Sequence, residues 1–111
     1  MRRDEATVAD LLEASRRVAR FVKGLDEAAF REDEKTVSAV LHQLLVVGEA
    51  VRRLSPGFRQ SHAEIPWKSI AGMRDVLIHA YDTVDLDEVW RTATEELPRL
   101  GEVLARMEGN A

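Results

Sequence analysis

Arg74, Asp75, His79 and Tyr81 fall within one eight-residue stretch, Arg74-Asp75-Val76-Leu77-Ile78-His79-Ala80-Tyr81. Arginine offers a planar fork of N–H donors that fits phosphate oxygens, and histidine can give or take a proton near neutral pH. Their combination points to chemistry at a phosphate. RNA cleavage needs no metal when the neighbouring 2'-hydroxyl attacks phosphorus. It needs a base for that hydroxyl, an acid for the leaving oxygen, and positive charge for the developing dianionic centre. One histidine does not readily do both proton transfers. A symmetric dimer pairing two such segments would bring two copies of His79 and of Arg74 into one cleft.

Each residue also has a plainer reading. A histidine in the last turn of a helix is a favourable partner for the helix dipole. Asp75 lies four residues before His79, where it can hydrogen-bond the ring and fix its tautomer. With Ile70 as origin and 100° per residue, Met73, Val76, Leu77, Ala80 and Tyr81 group on an expected core face. Arg74, Ile78, Asp75 and His79 fall at about 40°, 80°, 140° and 180°. An isoleucine among an arginine, an aspartate and a histidine suggests a face that meets a partner, although single exposed apolar residues are common.

The elements that must hold these residues are helical. Six glycines and three prolines leave long uninterrupted segments, the punctuation of a helical bundle. Four main helices are expected. The first runs from about Thr7 to Lys23, with Val8, Leu11, Leu12, Ser15, Val18, Ala19 and Val22 on its apolar stripe. Gly24 suits a left-handed cap, Asp26 a short turn returning Phe30 to the core, and Asp33 the start of the second long helix. That helix carries Val37, Val40, Leu41, Leu44, Val47, Gly48, Val51 and Leu54 on one face. Gly48 in its middle implies close approach by another helix. Ser55 to Ile65, with Pro56, Gly57 and His62, reads as an aperiodic connector. Pro66 suits the first turn of a third helix reaching about Tyr81. Asp85 caps the fourth, which continues through Val89, Trp90, Ala93, Leu97, Leu100, Val103 and Leu104 and should kink at Pro98.

Composition bounds the function. One domain spanning residues 1–111 is expected, since a single core usually occupies roughly 100–200 residues. Hydrophobic residues make up 45% and charged residues 32%, enough for a real core. The net charge of -4, from 16 Lys and Arg against 20 Asp and Glu, argues against nucleic-acid binding through bulk positive charge, so any RNA site must be local. No cysteine is present, which removes thiolate nucleophiles and cysteine zinc sites and fits a reducing cytosol. No apolar run approaches the ~18 residues of a membrane span. His42 and His62 form no ligand spacing with His79, so no metal is expected. Glu49 is read as a salt-bridge partner within the bundle, Trp67 and Trp90 as core, and Arg16, Arg17 and Arg20 as a basic strip on a solvated face.

The stretch from Arg74 to Tyr81 resembles the R-x-x-x-x-H-x-Y pattern of HepT-like proteins in the HEPN superfamily. Gly48-Glu49-Ala50, Ile65-Pro66-Trp67, Gly72-Met73-Arg74 and Val89-Trp90 resemble that family in the same order, so the likeness covers nearly the whole chain. It implies an all-α HEPN-type bundle of four main helices plus short helical connectors, dimerising through the motif helix. It further implies a cytoplasmic, metal-independent endoribonuclease without a cofactor, the toxin of a type VII toxin–antitoxin pair cutting tRNA or mRNA. Its partner would be an MNT-type nucleotidyltransferase antitoxin that moves AMP from ATP onto the motif tyrosine. By that resemblance the catalytic pair is Arg74 and His79, and Tyr81 is the AMPylated residue. The family often has Asn after the motif arginine where this chain has Asp75. A non-catalytic helical subunit that positions substrate for a nucleotidyltransferase is the alternative, and a purely structural adaptor is the third reading.

Overall fold

Apolar residues at three- and four-residue steps fold here as helices, and the side chains of Asp26, Asp33, Ser55 and Asp85 each cap the start of one. The computed structural model describes residues 2–109, and among these no strand occurs. The order is α1 (Arg2–Val22), α2 (Glu27–Glu32), α3 (Glu34–Arg53), α4 (Pro56–Ser61), α5 (Trp67–His79), a 3-10 turn (Tyr81–Thr83), α6 (Leu86–Arg91), a π-helical turn (Thr92–Glu96) and α7 (Leu97–Gly109). The fold is all-α, as expected.

Gly24 adopts φ +80°, closing α1 in the left-handed conformation that favours glycine. The Asp26 carboxylate accepts from Ala29 N at 2.8 Å, and that of Asp33 from Thr36 N at 3.1 Å. These caps start α2 and α3 one residue later. Between them Phe30 is fully buried, its ring 5.1 Å from that of Trp90. Asp85 caps α6 through Asp87 N.

α3 is the central element, packed against α1 and against α5, while α1 also packs on α7. Leu11, Val18, Phe30, Val40, Val51, Leu100 and Leu104 are fully excluded from solvent. Burying each such side chain contributes about 1.5–3 kcal/mol relative to exposure. Asp4 ties the start of α1 to the α3–α4 junction, its carboxylate accepting from Ser55 N at 3.0 Å and Ser55 Oγ at 2.7 Å.

Several expectations need correction. The first helix begins at Arg2 rather than near Thr7, and Ala19 on its expected stripe is exposed. The connector contains α4, capped by Ser55 with Pro56 in its first turn. Pro66 is the N-cap of α5 rather than its first helical residue, and α5 ends at His79, so Tyr81 belongs to the following 3-10 turn. Upstream of Pro98 the helix widens into the π-helical turn, where Leu97 N donates to Thr92 O. Proline lacks the N–H that would bond the Thr94 carbonyl, and its ring crowds that carbonyl, so the ladder is perturbed just upstream.

Candidate active site

α5 is anchored at both ends of its apolar face. At the start, the Trp67 indole N–H donates to the carbonyls of Arg59 at 3.1 Å and His62 at 3.0 Å, which pins the α4–α5 connector. Ile70, Met73 and Leu77 are buried, and α5 packs on α3. α3 accommodates it at Gly48: a Cβ there would stand 2.5 Å from Arg74 Cβ. The close approach expected at this glycine is therefore real, and the residue that approaches is the motif arginine.

That proximity sets the electrostatics of Arg74. Its Nε donates to Glu49 Oε1 at 2.6 Å and its Nη1 to Asp75 Oδ1 at 3.1 Å. Asp75 Oδ2 accepts in turn from Arg52 Nη2 at 2.8 Å. The result is a chain of alternating charge, Glu49, Arg74, Asp75 and Arg52, laid across α3 and α5. The Glu49 hydrogen bond, seconded by that of Asp75, raises the Arg74 pKa above its ordinary value. The hydrogen bond from Arg74 and the charge of Arg52 hold the Asp75 carboxyl below the usual carboxylate range. Glu49 thus makes the salt bridge expected of it. Asp75 is engaged with two arginines and makes no hydrogen bond to His79, contrary to the orienting geometry expected from their four-residue spacing.

His79 is the last residue of α5, exposed to solvent, and in no hydrogen bond or ion pair among the described residues. No hydrogen bond joins it to Arg74, which turns toward Glu49 on α3. Tyr81 opens the 3-10 turn with half its surface exposed. Val76, Ile78 and Tyr81 are the exposed large hydrophobics among the described residues, at 44%, 45% and 50%. Ile78 stands out as expected, whereas the helical wheel puts Val76 and Tyr81 on the core face. The helix ends before Tyr81.

Sequence alone singles out neither Arg52 nor its pairing with Asp75. The available signal is Arg52 at three residues beyond Glu49, hence on a neighbouring face of the same helix. Among the described residues no three His, Asp or Glu side chains are grouped to hold a metal ion. His42 is exposed, and His62 Nδ1 lies 2.9 Å from the Phe58 carbonyl. Trp67 is buried and Trp90 half-buried against the core, while Arg16, Arg17 and Arg20 are exposed. No described helix is long and apolar enough to cross a membrane.

Comparison with known proteins shows the family. The ribonuclease HepT-like family matches residues 11–107, a span that includes the whole of α5. The chain belongs to the HepT-like ribonuclease family. A protein of Thermococcus cleftensis named "Probable ribonuclease HepT" is 40% identical over 91 residues, covering 82% of this chain and 83% of the relative. A protein of Caldanaerobacter subterraneus named "Putative RNase" is 43% identical over 79 residues, covering 71% and 70%. One of the same description from Methanocaldococcus jannaschii is 38% identical over 96 residues, covering 86% and 79%. No solved structure matches.

Proposed function

We propose that this HepT-like chain is a metal-independent endoribonuclease that works as a homodimer, with Arg74 and His79 as its catalytic residues. The observation that carries the reading is that the exposed large hydrophobics among the described residues, Val76, Ile78 and Tyr81, all fall between the last turn of α5 and the turn that follows it, on either side of an unpaired His79. Apolar side chains left exposed along one short stretch of a small protein mark a contact surface. Pairing two copies there covers Ile78 and brings two His79 rings to one cleft. One ring takes the proton of the 2'-hydroxyl, whose oxygen attacks phosphorus. The partner's His79 gives a proton to the departing 5'-oxygen, leaving a cyclic 2',3'-phosphate and a 5'-hydroxyl. The two Arg74 guanidiniums stabilise the dianionic centre between them.

In this reading the chain is the toxin of a type VII toxin–antitoxin pair acting on tRNA or mRNA in the cytoplasm. An MNT-type nucleotidyltransferase silences it by AMP transfer. The exposed Tyr81 hydroxyl attacks the α-phosphorus of ATP and pyrophosphate leaves. The added phosphate repels RNA beside the cleft. Purified protein in the presence of a chelator should cleave RNA, and His79→Ala and Arg74→Ala should not, while eluting as the parent does. Cleavage by His79→Ala at the parent's rate overturns the assignment. Coexpression with an MNT-type nucleotidyltransferase should add AMP-sized mass to the parent but not to Tyr81→Phe.

One observation favours the second reading, a non-catalytic subunit that positions substrate for the nucleotidyltransferase: two carboxylates already engage Arg74. In that case no RNA is cut and the partner's activity depends on this chain.

A further inference from the structure

Beside the arginine–carboxylate chain lies an open groove of about 1280 Å3 between the end of α3, α4 and the first half of α5. Its apolar floor includes Ile65 and Pro66, and its charged walls are Arg52, Arg59, Lys68 and Asp75. Three cations against one carboxylate give it a positive balance in a chain whose net charge is -4. Arg52 is matched by Asp75. Arg59 and Lys68 enter no ion pair among the described residues, and Arg59 Nε is buried without an acceptor. Arg59 is half-buried and Lys68 exposed, so both present cationic side chains, unmatched by an acid, to an arriving anionic oxygen.

A second, independent feature marks the same groove. Gly72 lies in the middle of α5 with ordinary helical φ, and a Cβ built on it meets nothing within 4 Å. Glycine is the poorest helix former after proline, so the fold loses stability here and gains no close packing within the chain. What needs the space must come from outside. On the α5 helical wheel Lys68, Asp75, Gly72 and His79 fall within about 60° of one another. They form one track about 16 Å long from the first turn to the last, with no side chain at Gly72 to obstruct it.

The geometry points to this groove as the seat of a single RNA strand leading to His79, with Arg59 and Lys68 on its phosphates, the apolar floor beneath its bases and Gly72 leaving the track clear. Single-stranded nucleic acid is held in this manner, by cations along the backbone and apolar surface under the bases. The proposal rests on the endoribonuclease reading for its substrate. Its test is separable from that reading, because binding can be measured without cleavage.

The full chain is titrated with a short fluorescent oligoribonucleotide whose 2'-hydroxyls are methylated, which removes the nucleophile. The parent should bind with salt-dependent affinity. Arg59→Gln/Lys68→Gln should bind about tenfold more weakly, with the slope of log affinity against log salt reduced by about 1.4, or about 0.7 for each phosphate no longer neutralised. Circular dichroism establishes that the variant is folded. Lys68 is exposed, so Lys68→Gln alone provides the test if the double variant does not fold, and its slope should fall by about 0.7. Gly72→Leu should weaken binding with no change in oligomeric state. No binding by the parent, or parental affinity and slope in the folded variants, overturns the proposal. A changed oligomeric state in Gly72→Leu assigns the face to a second copy and overturns it as well. If the parent binds this probe but leaves unmodified RNA intact, the nuclease reading falls and the groove stands. If the parent cleaves and the double variant binds as it does, the reverse holds.

Discussion

Gly48 and Gly72 are both mid-helix glycines with ordinary φ, yet replacement by alanine should move stability in opposite directions. At Gly48 the new Cβ would stand 2.5 Å from Arg74 Cβ and 3.3 Å from Arg74 Cα and N. These atoms cannot swing aside as the end of a flexible side chain could. Restoring ordinary van der Waals contact requires α5 to withdraw from α3 by about 1 Å, and overpacking of this kind costs about 1–3 kcal/mol. Alanine's better helix propensity offsets about 0.8–1 kcal/mol of that. At Gly72 the propensity gain stands alone, since nothing lies within 4 Å. Gly72→Ala should therefore stabilise the chain by about 0.5–1 kcal/mol. The difference between the two variants cancels the propensity contribution and isolates the overpacking, about 1–3 kcal/mol. In thermal melts this corresponds to roughly 4–12 °C for a domain of this size. Urea unfolding at a fixed protein concentration, with unchanged m-values, measures it directly. A Gly48→Ala protein as stable as Gly72→Ala would refute the close approach of α3 to Arg74. Because that approach also seats the Arg74–Glu49 pair, Gly48→Ala should cleave RNA more slowly than the parent under the same assay.

Three further outcomes are expected. Asp75→Asn removes a carboxylate that engages both Arg74 and Arg52. It should raise RNA affinity several-fold in a filter-binding assay, and unchanged or weaker binding would count against competition between Asp75 and phosphate. Asp4→Ala leaves Ser55 N and Oγ without the acceptor they share in a half-buried junction, and should lower urea stability by about 1–3 kcal/mol. Acid should destabilise the fold through Asp33 and Asp75. The folded Asp33 carboxyl is held low by the Thr36 hydroxyl and amide, and that of Asp75 by Arg74 and Arg52. A depressed folded pKa means the contribution is fully present above the unfolded value of about 3.9 and is lost as pH falls through the folded value. Melting temperature should therefore hold between about pH 5 and 7 and drop below about pH 4, less steeply in Asp33→Asn/Asp75→Asn.

The caps and apolar faces of the bundle are legible in the sequence because they depend on neighbours three or four residues away. Asp26, Asp33 and Asp85 each cap the helix expected of them, and Gly24 closes α1 with the positive φ anticipated. α4 is hidden because six residues give too little periodicity to register beside Pro56 and Gly57. Tyr81 is misplaced by the helical wheel, which assumes that the helix continues, whereas α5 stops at His79. Within the site, the residue types and the presence of Ile78 on the outer face can be read from spacing. The Asp75–Arg52 pair cannot, since it joins residues 23 positions apart on different helices. Helical spacing offers Asp75 the ring of His79, whereas the fold pairs it with Arg52 across two helices and with its own neighbour Arg74.

The pairings of Arg74 divide its donors in a way that matters for the proposed reaction. Glu49 holds Nε from α3, on the side where Gly48 lets the two helices meet, and this hydrogen bond fixes the plane of the guanidinium. Asp75 occupies Nη1 from the same helix. An incoming phosphate needs donors on the outer edge of that fork, so it competes with Asp75 and leaves Glu49 in place. Asp75 does not become an unpaired charge when displaced, because Arg52 still holds its other oxygen. The exchange therefore replaces one charge-assisted hydrogen bond by another, with no uncompensated carboxylate left behind. With Glu49 and Asp75 matching Arg74 and Arg52, the four together carry no net charge. Attraction for a polyanion must then come from cations outside the quartet, and Arg59 and Lys68 in the adjoining groove are unmatched by any acid among the described residues.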